Sequence, residues 1–143
     1  MKLYDMLEMH NPPESIGDCM RACTATLLGV PPETLPHFAR WHWDEGATPD
    51  EVHQRWREYL VEHHGVDVIL LQMEGQDPRH LPQALCIGIG QSPRFSGAYH
   101  DVLWMMDENG GAMIHDPHPS RAGVGDIPEL VCFIVPVNAG AAA

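Results

Sequence analysis

Two stretches in the first half of the chain carry apolar residues at helical spacing, and the first of them is short. Met20, Cys23 and Leu27 recur at this spacing, which predicts that one face of a helix within residues 17–29 is buried. Asp18 is the predicted N-cap of this helix, and Gly29 is its predicted C-terminal stop.

The second stretch predicts a longer helix with a well-marked start. Thr48 is the expected N-cap, Pro49 suits the first helical position, and Glu51 completes a capping box. Gly65 ends the helix. We expect this helix to be scaffold without chemistry. Its predicted buried face consists of Val52, Trp56, Tyr59, Leu60 and His63.

From residue 66 onward the pattern changes to compact apolar runs that are typical of strands. Between the third and fourth runs, Asn109-Gly110-Gly111 is a hairpin signal. Cys86 and Cys132 lie inside two of the runs, and we interpret both as buried small residues. Helices followed by strands predict an α+β fold in one domain over residues 1–137, with a disordered tail at 138–143. The runs cover residues 66–73, 84–90, 99–107, 112–116 and 130–137.

Composition and charge narrow the classes of partner. The chain has 143 residues, of which 44% are hydrophobic, and this suits one domain with a core. Its net charge of −12 argues against nucleic acid and against anionic membrane surfaces as partners. No apolar run reaches the length of a membrane span, and acidic residues interrupt the N-terminus where a secretory signal would be apolar. We therefore expect a cytoplasmic protein without structural disulfides.

Cys19 is the candidate nucleophile because it falls on the first turn of the first predicted helix. A thiol there faces the positive end of the helix dipole and several unpaired backbone N–H groups. Both favour the thiolate, so the sequence predicts a depressed pKa for Cys19. The same N–H groups could stabilise an oxyanion that forms beside the sulfur.

His100 and Asp116 are the candidate base and orienter. His100 opens the third strand run, and Asp116 closes its hairpin partner. The two side chains meet only if they share a face of the sheet, and a two-residue loop at Asn109-Gly110 would put them on opposite faces. A three-residue loop pairs Val102 with Asp116 and brings His100 diagonally next to it. The triad therefore predicts an odd-length loop or a β-bulge in this hairpin.

Three neighbouring residues are rivals for these roles. His115 and His118 flank Asp116 in sequence. Strand alternation turns His115 away from Asp116, whereas His118 could line the rim of a site. Asp101 follows His100 directly and points to the other face, so Asp116 is the preferred orienter.

These residues resemble the papain-like cysteine peptidases. Gly17-Asp18-Cys19 opening a helix, with Ala22, Cys23 and Ala25 behind it, is similar to the nucleophile helix of that superfamily. His-Asp-Val-Leu-Trp from His100 and Ile-His-Asp-Pro ending at Pro117 resemble its His and Asp strands. The likeness spans residues 9–137 and is closest to small bacterial and phage types, such as bacteriocin-leader-processing peptidases and compact cell-wall endopeptidases.

The resemblance implies a papain-like α+β fold, with N-terminal helices packed on a C-terminal antiparallel β-sheet. It also implies that Cys19 is the nucleophile, His100 the general base and acid, and Asp116 the orienter. One departure concerns the oxyanion donor, because the family places a Gln before the nucleophile and no Gln precedes Cys19 here. Asn11 and His10 are the candidates that can offer an equivalent N–H.

The function expected from these features is a cysteine peptidase or amidase that acts through an acyl-thioenzyme on a peptide or protein substrate, without cofactor or metal. The expected substrate-binding residues are Arg94, Phe95 and Tyr99 on one wall of the cleft and Trp41, within the segment 41–43, on another. The same triad could instead transfer an acyl group to an amine.

Two other classes of function compete with this one. The first is a papain-like scaffold with a decayed site, used as a protein-interaction module, and the missing Gln favours it. The second is metal binding by Cys19 and Cys23, which lie four residues apart and share a helix face. The four cysteines lack the short paired spacings of a zinc ribbon, which disfavours the metal.

Overall fold

The computed structural model describes residues 1–137, so the predicted tail at 138–143 lies outside the described residues. No helix within the described range is both long and apolar enough to cross a membrane. Two short 3₁₀ turns, Pro32–Thr34 and Pro78–His80, lie between the main elements. The helices are α1 (Cys19–Leu28), α2 (Arg40–Glu45) and α3 (Pro49–His64), and the strands are β1 (Val66–Gln72), β2 (Leu85–Gln91), β3 (Tyr99–Met105), β4 (Ala112–His115) and β5 (Leu130–Pro136).

The five strands form one antiparallel sheet in the order β1-β5-β2-β3-β4. β5, the last of these strands in sequence order, therefore lies inside the sheet, between β1 and β2. Helix α1 packs on β3 and β2, and α3 packs on β1. Helices followed by an antiparallel sheet make the fold α+β, as the sequence predicts.

Each face of the sheet carries its own hydrophobic core. Ile87 and Cys132 are paired across β2 and β5 and belong to the core under the helices, with Cys23, Trp56 and Leu60. The alternate residues of the same strands form a second core on the other face, which includes Cys86, Val102, Trp104, Val131 and Phe133. Cys86 and Cys132 are fully buried, which confirms their interpretation as core residues.

Helix α3 begins and ends where the sequence predicts. Thr48 Oγ1 accepts a hydrogen bond from the Glu51 backbone N–H, and the Glu51 carboxylate accepts one from the Thr48 N–H, which completes the capping box. Gly65 adopts the left-handed conformation with φ of 65°. Val52, Trp56 and Leu60 are buried and Tyr59 is half-buried, but His63 is exposed, so its place on the buried face was predicted wrongly.

Helix α1 ends at Gly29 as predicted, but its N-terminus differs from the prediction. Gly29 is left-handed, with φ of 70°, and its N–H closes the helix. Asp18 occupies the N-cap position, yet its side chain makes no capping hydrogen bond. The carboxylate instead accepts hydrogen bonds from the backbone N–H groups of Leu7 and Glu8 and from Arg21. Asp18 therefore ties the N-terminal segment to α1.

Candidate active site

His100 and Asp116 are in direct contact. His100 Nε2 lies 2.6 Å from Asp116 Oδ1, and both side chains are buried. The contact depends on a register shift between Leu103 and Trp104, a β-bulge in the β3–β4 hairpin. Beyond the bulge Leu103 pairs with His115, so the next step along the two chains brings Val102 opposite Asp116. The predicted bulge is confirmed.

The Asp116 carboxylate is held in its ionised form. Its Oδ1 also accepts a hydrogen bond from the His118 N–H, and its Oδ2 accepts one from the Gly123 N–H at 2.7 Å. Burial alone would raise the pKa of Asp116, but these hydrogen bonds and that of His100 outweigh burial and lower it. An ionised carboxylate can only accept, so His100 Nε2 carries the proton of this bond. In the neutral imidazole, Nδ1 then has the free lone pair.

Cys19 and His100 line the same cavity, which has a volume of about 510 Å³. Cys19 is half-buried at the start of α1, where α1 packs against β3. No hydrogen bond joins the Cys19 sulfur to the His100 ring in the described structure. In free enzymes the hydrogen bonds used in catalysis are often long, so this absence does not argue against a joint role. Both side chains can contact one ligand in the cavity.

The environment of the Cys19 thiol differs from the prediction. Burial raises its pKa well above the ordinary value, and the nearby carboxylates of Asp101 and Asp18 raise it further. Backbone N–H groups of Asp101 and Met20 act in the opposite direction without reversing the shift. The expectation of a depressed pKa is therefore wrong. The helix terminus is outweighed by desolvation and by two negative charges, so the resting thiol is neutral.

The first turn of α1 nevertheless keeps its donors available. Because Asp18 turns toward the N-terminal segment, its side chain does not occupy the N–H groups at the helix start. N–H groups at the start of a helix point along the helix axis, and they can donate hydrogen bonds to a negatively charged group placed there. The region beside the Cys19 sulfur can therefore stabilise negative charge on a substrate oxygen.

Of the two candidate oxyanion donors, only His10 lies in the cavity. His10 Nδ1 accepts a hydrogen bond from the Gly17 N–H at 3.1 Å, so Nε2 carries the proton of the neutral ring. Burial lowers the pKa of His10, which favours that neutral form. Gly17 permits the contact, because a Cβ there would lie 2.9 Å from His10 Cβ. Asn11 is exposed and outside the cavity lining, contrary to its proposed role.

The predicted substrate walls are partly present. Arg94, Phe95 and Tyr99 line the cavity, but Trp41 does not. Trp41 packs against Phe38 at a ring distance of 5.5 Å and lies under the Arg55 guanidinium, so it is part of the scaffold. The tryptophan that α2 contributes to the cavity is the exposed Trp43. Helix α2 has six residues, too few for sequence periodicity to choose between the two tryptophans.

The three rival residues lie in different places relative to the cavity. His118 lines the cavity, as predicted for a rim residue, and its ring centroid lies 6.3 Å from that of His100. His115 is turned away and contacts Asp5 with Nε2 at 2.8 Å. Asp101, which ranked below Asp116 as orienter, also lines the cavity, and it lies beside Cys19. Strand alternation puts Asp101 on the sheet face that α1 covers, so the sequence contained the signal that could have placed Asp101 near Cys19.

Metal binding has no support in the geometry of this site. Among residues 1–137, no group of three or more His, Cys, Asp or Glu side chains is arranged to hold an ion. Cys23 is buried in the core under the helices, so it does not share the cavity with Cys19.

Comparison of the chain with protein-family models, with curated proteins and with solved structures finds no match.

Proposed function

We propose that this protein is a cysteine hydrolase that cleaves a peptide or amide bond, with Cys19 as nucleophile, His100 as general base and acid, and Asp116 as orienter. The observation that carries the proposal is the single cavity that Cys19 and His100 share, with His100 bonded to an ionised Asp116 on its far side. Nucleophile, base and orienter are the three parts that covalent acyl transfer needs.

The chemistry begins from a neutral thiol. As the Cys19 sulfur attacks the substrate carbonyl, His100 Nδ1 takes the thiol proton, and Asp116 stabilises the imidazolium that results. The N–H groups at the start of α1, together with His10 Nε2, are the proposed donors to the oxyanion. His100 then gives its proton to the leaving amine, which releases an acyl-thioenzyme. Water deprotonated by His100 hydrolyses the thioester and restores the thiol.

The fold is consistent with a papain-like arrangement, which we include in the proposal. In such a fold a nucleophile helix packs against an antiparallel sheet that carries the base and the orienter on neighbouring strands. Here α1 packs against β3, and the hairpin that begins with β3 supplies both His100 and Asp116. The ring nitrogen toward the orienter is Nε2, which leaves Nδ1 for the nucleophile.

The decisive experiment compares cleavage of a peptide library by wild type, Cys19→Ala and His100→Ala. We expect Cys19→Ala to abolish cleavage and His100→Ala to reduce it by about a hundred- to ten-thousandfold. The matched control is His115→Ala, because His115 lies in the same hairpin but contacts Asp5 outside the cavity. Cleavage that survives in Cys19→Ala would contradict the proposal, as would equal losses in His100→Ala and His115→Ala.

A non-catalytic interaction module is the second candidate, favoured by the raised pKa of Cys19 and by the absence of a sulfur–imidazole hydrogen bond within residues 1–137. Labelling by iodoacetamide separates the two functions. If His100 assists the thiol, His100→Ala slows labelling at neutral pH. If the protein is a module, labelling proceeds at the same rate in wild type and variant. Cys23, Cys86 and Cys132 are buried, so the label reports on Cys19.

A further inference from the structure

Asp101 is a carboxylate without a partner inside the cavity. It is the one Asp or Glu among the residues that line the cavity, and its side chain forms no hydrogen bond or ion pair with any residue of the described range 1–137. Other buried or partly buried carboxylates have strong partners. Asp18 contacts Arg21, Asp67 contacts Arg57 at 2.9 Å, and Asp116 contacts His100.

The surroundings of Asp101 leave this charge uncompensated. Asp101 pairs with Ile89 across the sheet and lies on the same face as the apolar residues under α1. Burial raises the pKa of Asp101 to about 6, although the His100 ring acts to lower it. Above that pH the carboxylate is ionised in a largely apolar pocket. Asp101 is half-buried, and a carboxylate largely removed from water without a partner is unfavourable unless something else supplies donors or positive charge.

Arg94 is the one Lys or Arg among the residues that line the cavity, and its buried Nε has no hydrogen-bond partner within residues 1–137. Arg94 donates from Nη1 to Ser120 Oγ at 2.8 Å, on the side of His118. The positively charged group that favours the ionised form of Asp101 is the His100 ring, and that ring is hydrogen-bonded to Asp116.

The cavity mouth suits a positively charged group that approaches Asp101. Exposed rings of Trp43, Phe95 and Tyr99 line the cavity, and His10 packs edge-on against the first two at 5.5 and 5.3 Å. Aromatic faces attract ammonium and guanidinium groups, and a carboxylate at the end of such a passage pairs with them. The net charge of −12 steers the same class of ligand toward the protein.

We propose that Asp101 is the specificity residue of this site, which binds a primary ammonium or guanidinium group of the substrate next to Cys19. The substrate would then be a basic peptide or an amine-bearing amide. This substrate class rests on the proposed hydrolase function, whereas the binding of a cation at Asp101 does not. Pairing with a cation would also neutralise one of the two negative charges that act on the sulfur. A basic substrate would therefore make Cys19 more reactive as it binds.

The test uses alkylation of Cys19 and does not require turnover. Two chloroacetamide probes of matched length, one ending in a primary ammonium and one in a methyl group, react with wild type at pH 7.5 in 0.3 M NaCl. Intact-mass spectrometry gives the two rates, and 2-mercaptoethanol gives the intrinsic rate ratio of the probes. We expect wild type to favour the cationic probe by about tenfold beyond that ratio, since a charge-assisted hydrogen bond is worth this much.

Asp101→Asn keeps the shape of the side chain and removes its charge, so the preference should fall to the intrinsic ratio. The matched control is Glu62→Gln, which removes one charge from an exposed position on α3 outside the cavity and should keep the preference. Equal preferences in wild type and Asp101→Asn would overturn the inference. If Asp101→Asn does not fold, a wild-type ratio equal to that of 2-mercaptoethanol would overturn it alone.

The alkylation result is independent of the library experiment. If the protein cleaves no peptide but shows a cation preference that depends on Asp101, the cation site is supported and the hydrolase function is contradicted. Cleavage that depends on Cys19 without any cation preference would retain the hydrolase and remove the role of Asp101.

Discussion

Asp116 accepts a hydrogen bond from His100 Nε2 at 2.6 Å while its other oxygen accepts the Gly123 N–H. The carboxylate is thus fixed between a strand, through His100, and the loop that follows β4. Because the loop donors hold the carboxylate in place, it in turn holds the imidazole in one tautomer and one orientation. The orientation of His100, the proposed base, therefore depends on Asp116.

Asp116→Asn should reduce turnover strongly while leaving a folded protein. The amide keeps the shape of the side chain but can present an N–H to His100, which would place the ring proton on the wrong nitrogen. We expect a loss of about a hundred- to ten-thousandfold in kcat, measured with whichever peptide the library identifies. Asp5→Asn is the control, because Asp5 contacts His115 and Arg121 outside the cavity. A similar loss in both variants would exclude an orienting role for Asp116.

The reactivity of Cys19 should rise with pH over an unusually high range. Burial and the Asp101 and Asp18 carboxylates raise the pKa of the thiol, so little thiolate is present at pH 7. Iodoacetamide labelling should keep increasing above pH 9, where an ordinary thiol reaches its plateau. Asp101→Asn removes one of the two charges, so its profile should shift to lower pH. A wild-type plateau below pH 8 would contradict the environment described for Cys19.

The sequence was sufficient for the elements whose signals are local. Thr48 and Glu51 define the start of α3 through contacts three residues apart, and Gly29 ends α1 because it can adopt positive φ. The contact of His100 with Asp116 could be predicted too, because the register of a hairpin follows from its own residues.

The predictions that failed concern contacts between distant segments. Asp18 binds Leu7 and Glu8, which lie 11 and 10 residues away, so no capping rule reveals its role. The pKa of Cys19 depends on where β3 passes α1, since that crossing brings Asp101 to the sulfur. A helix-terminus argument alone includes the favourable dipole but neither the burial nor the neighbouring charge.

Asp101 should make stability decrease with pH. Its pKa is about 6 in the folded protein and near 3.8 when unperturbed, so the folded state binds the proton more tightly. Well below pH 3.8 the carboxyl is protonated in both states and carries no penalty. As pH rises from 3.8 through 6, the unfolded state ionises freely while the folded state resists ionising the half-buried carboxyl, so stability is lost. Asp101→Asn avoids this, so its unfolding free energy relative to wild type should increase by about 2–3 kcal/mol between pH 4 and pH 7.5. Urea unfolding at the two pH values measures the change, and a constant difference would contradict it.

Replacing Asp18 should lower the unfolding free energy strongly, because its carboxylate joins the N-terminal segment to α1. It is fully buried and receives the Leu7 and Glu8 N–H groups as well as Arg21. Asp18→Ala leaves these donors unsatisfied in a buried position, so we expect a loss of about 3–5 kcal/mol of unfolding free energy. The control is Asp44→Ala, which breaks the exposed pair with Arg40 and should cost less than about 1 kcal/mol. Chemical denaturation of both variants measures the contrast. If the two losses were equal, the N-terminal segment would not depend on Asp18, and the free N–H groups at the start of α1 would need another explanation.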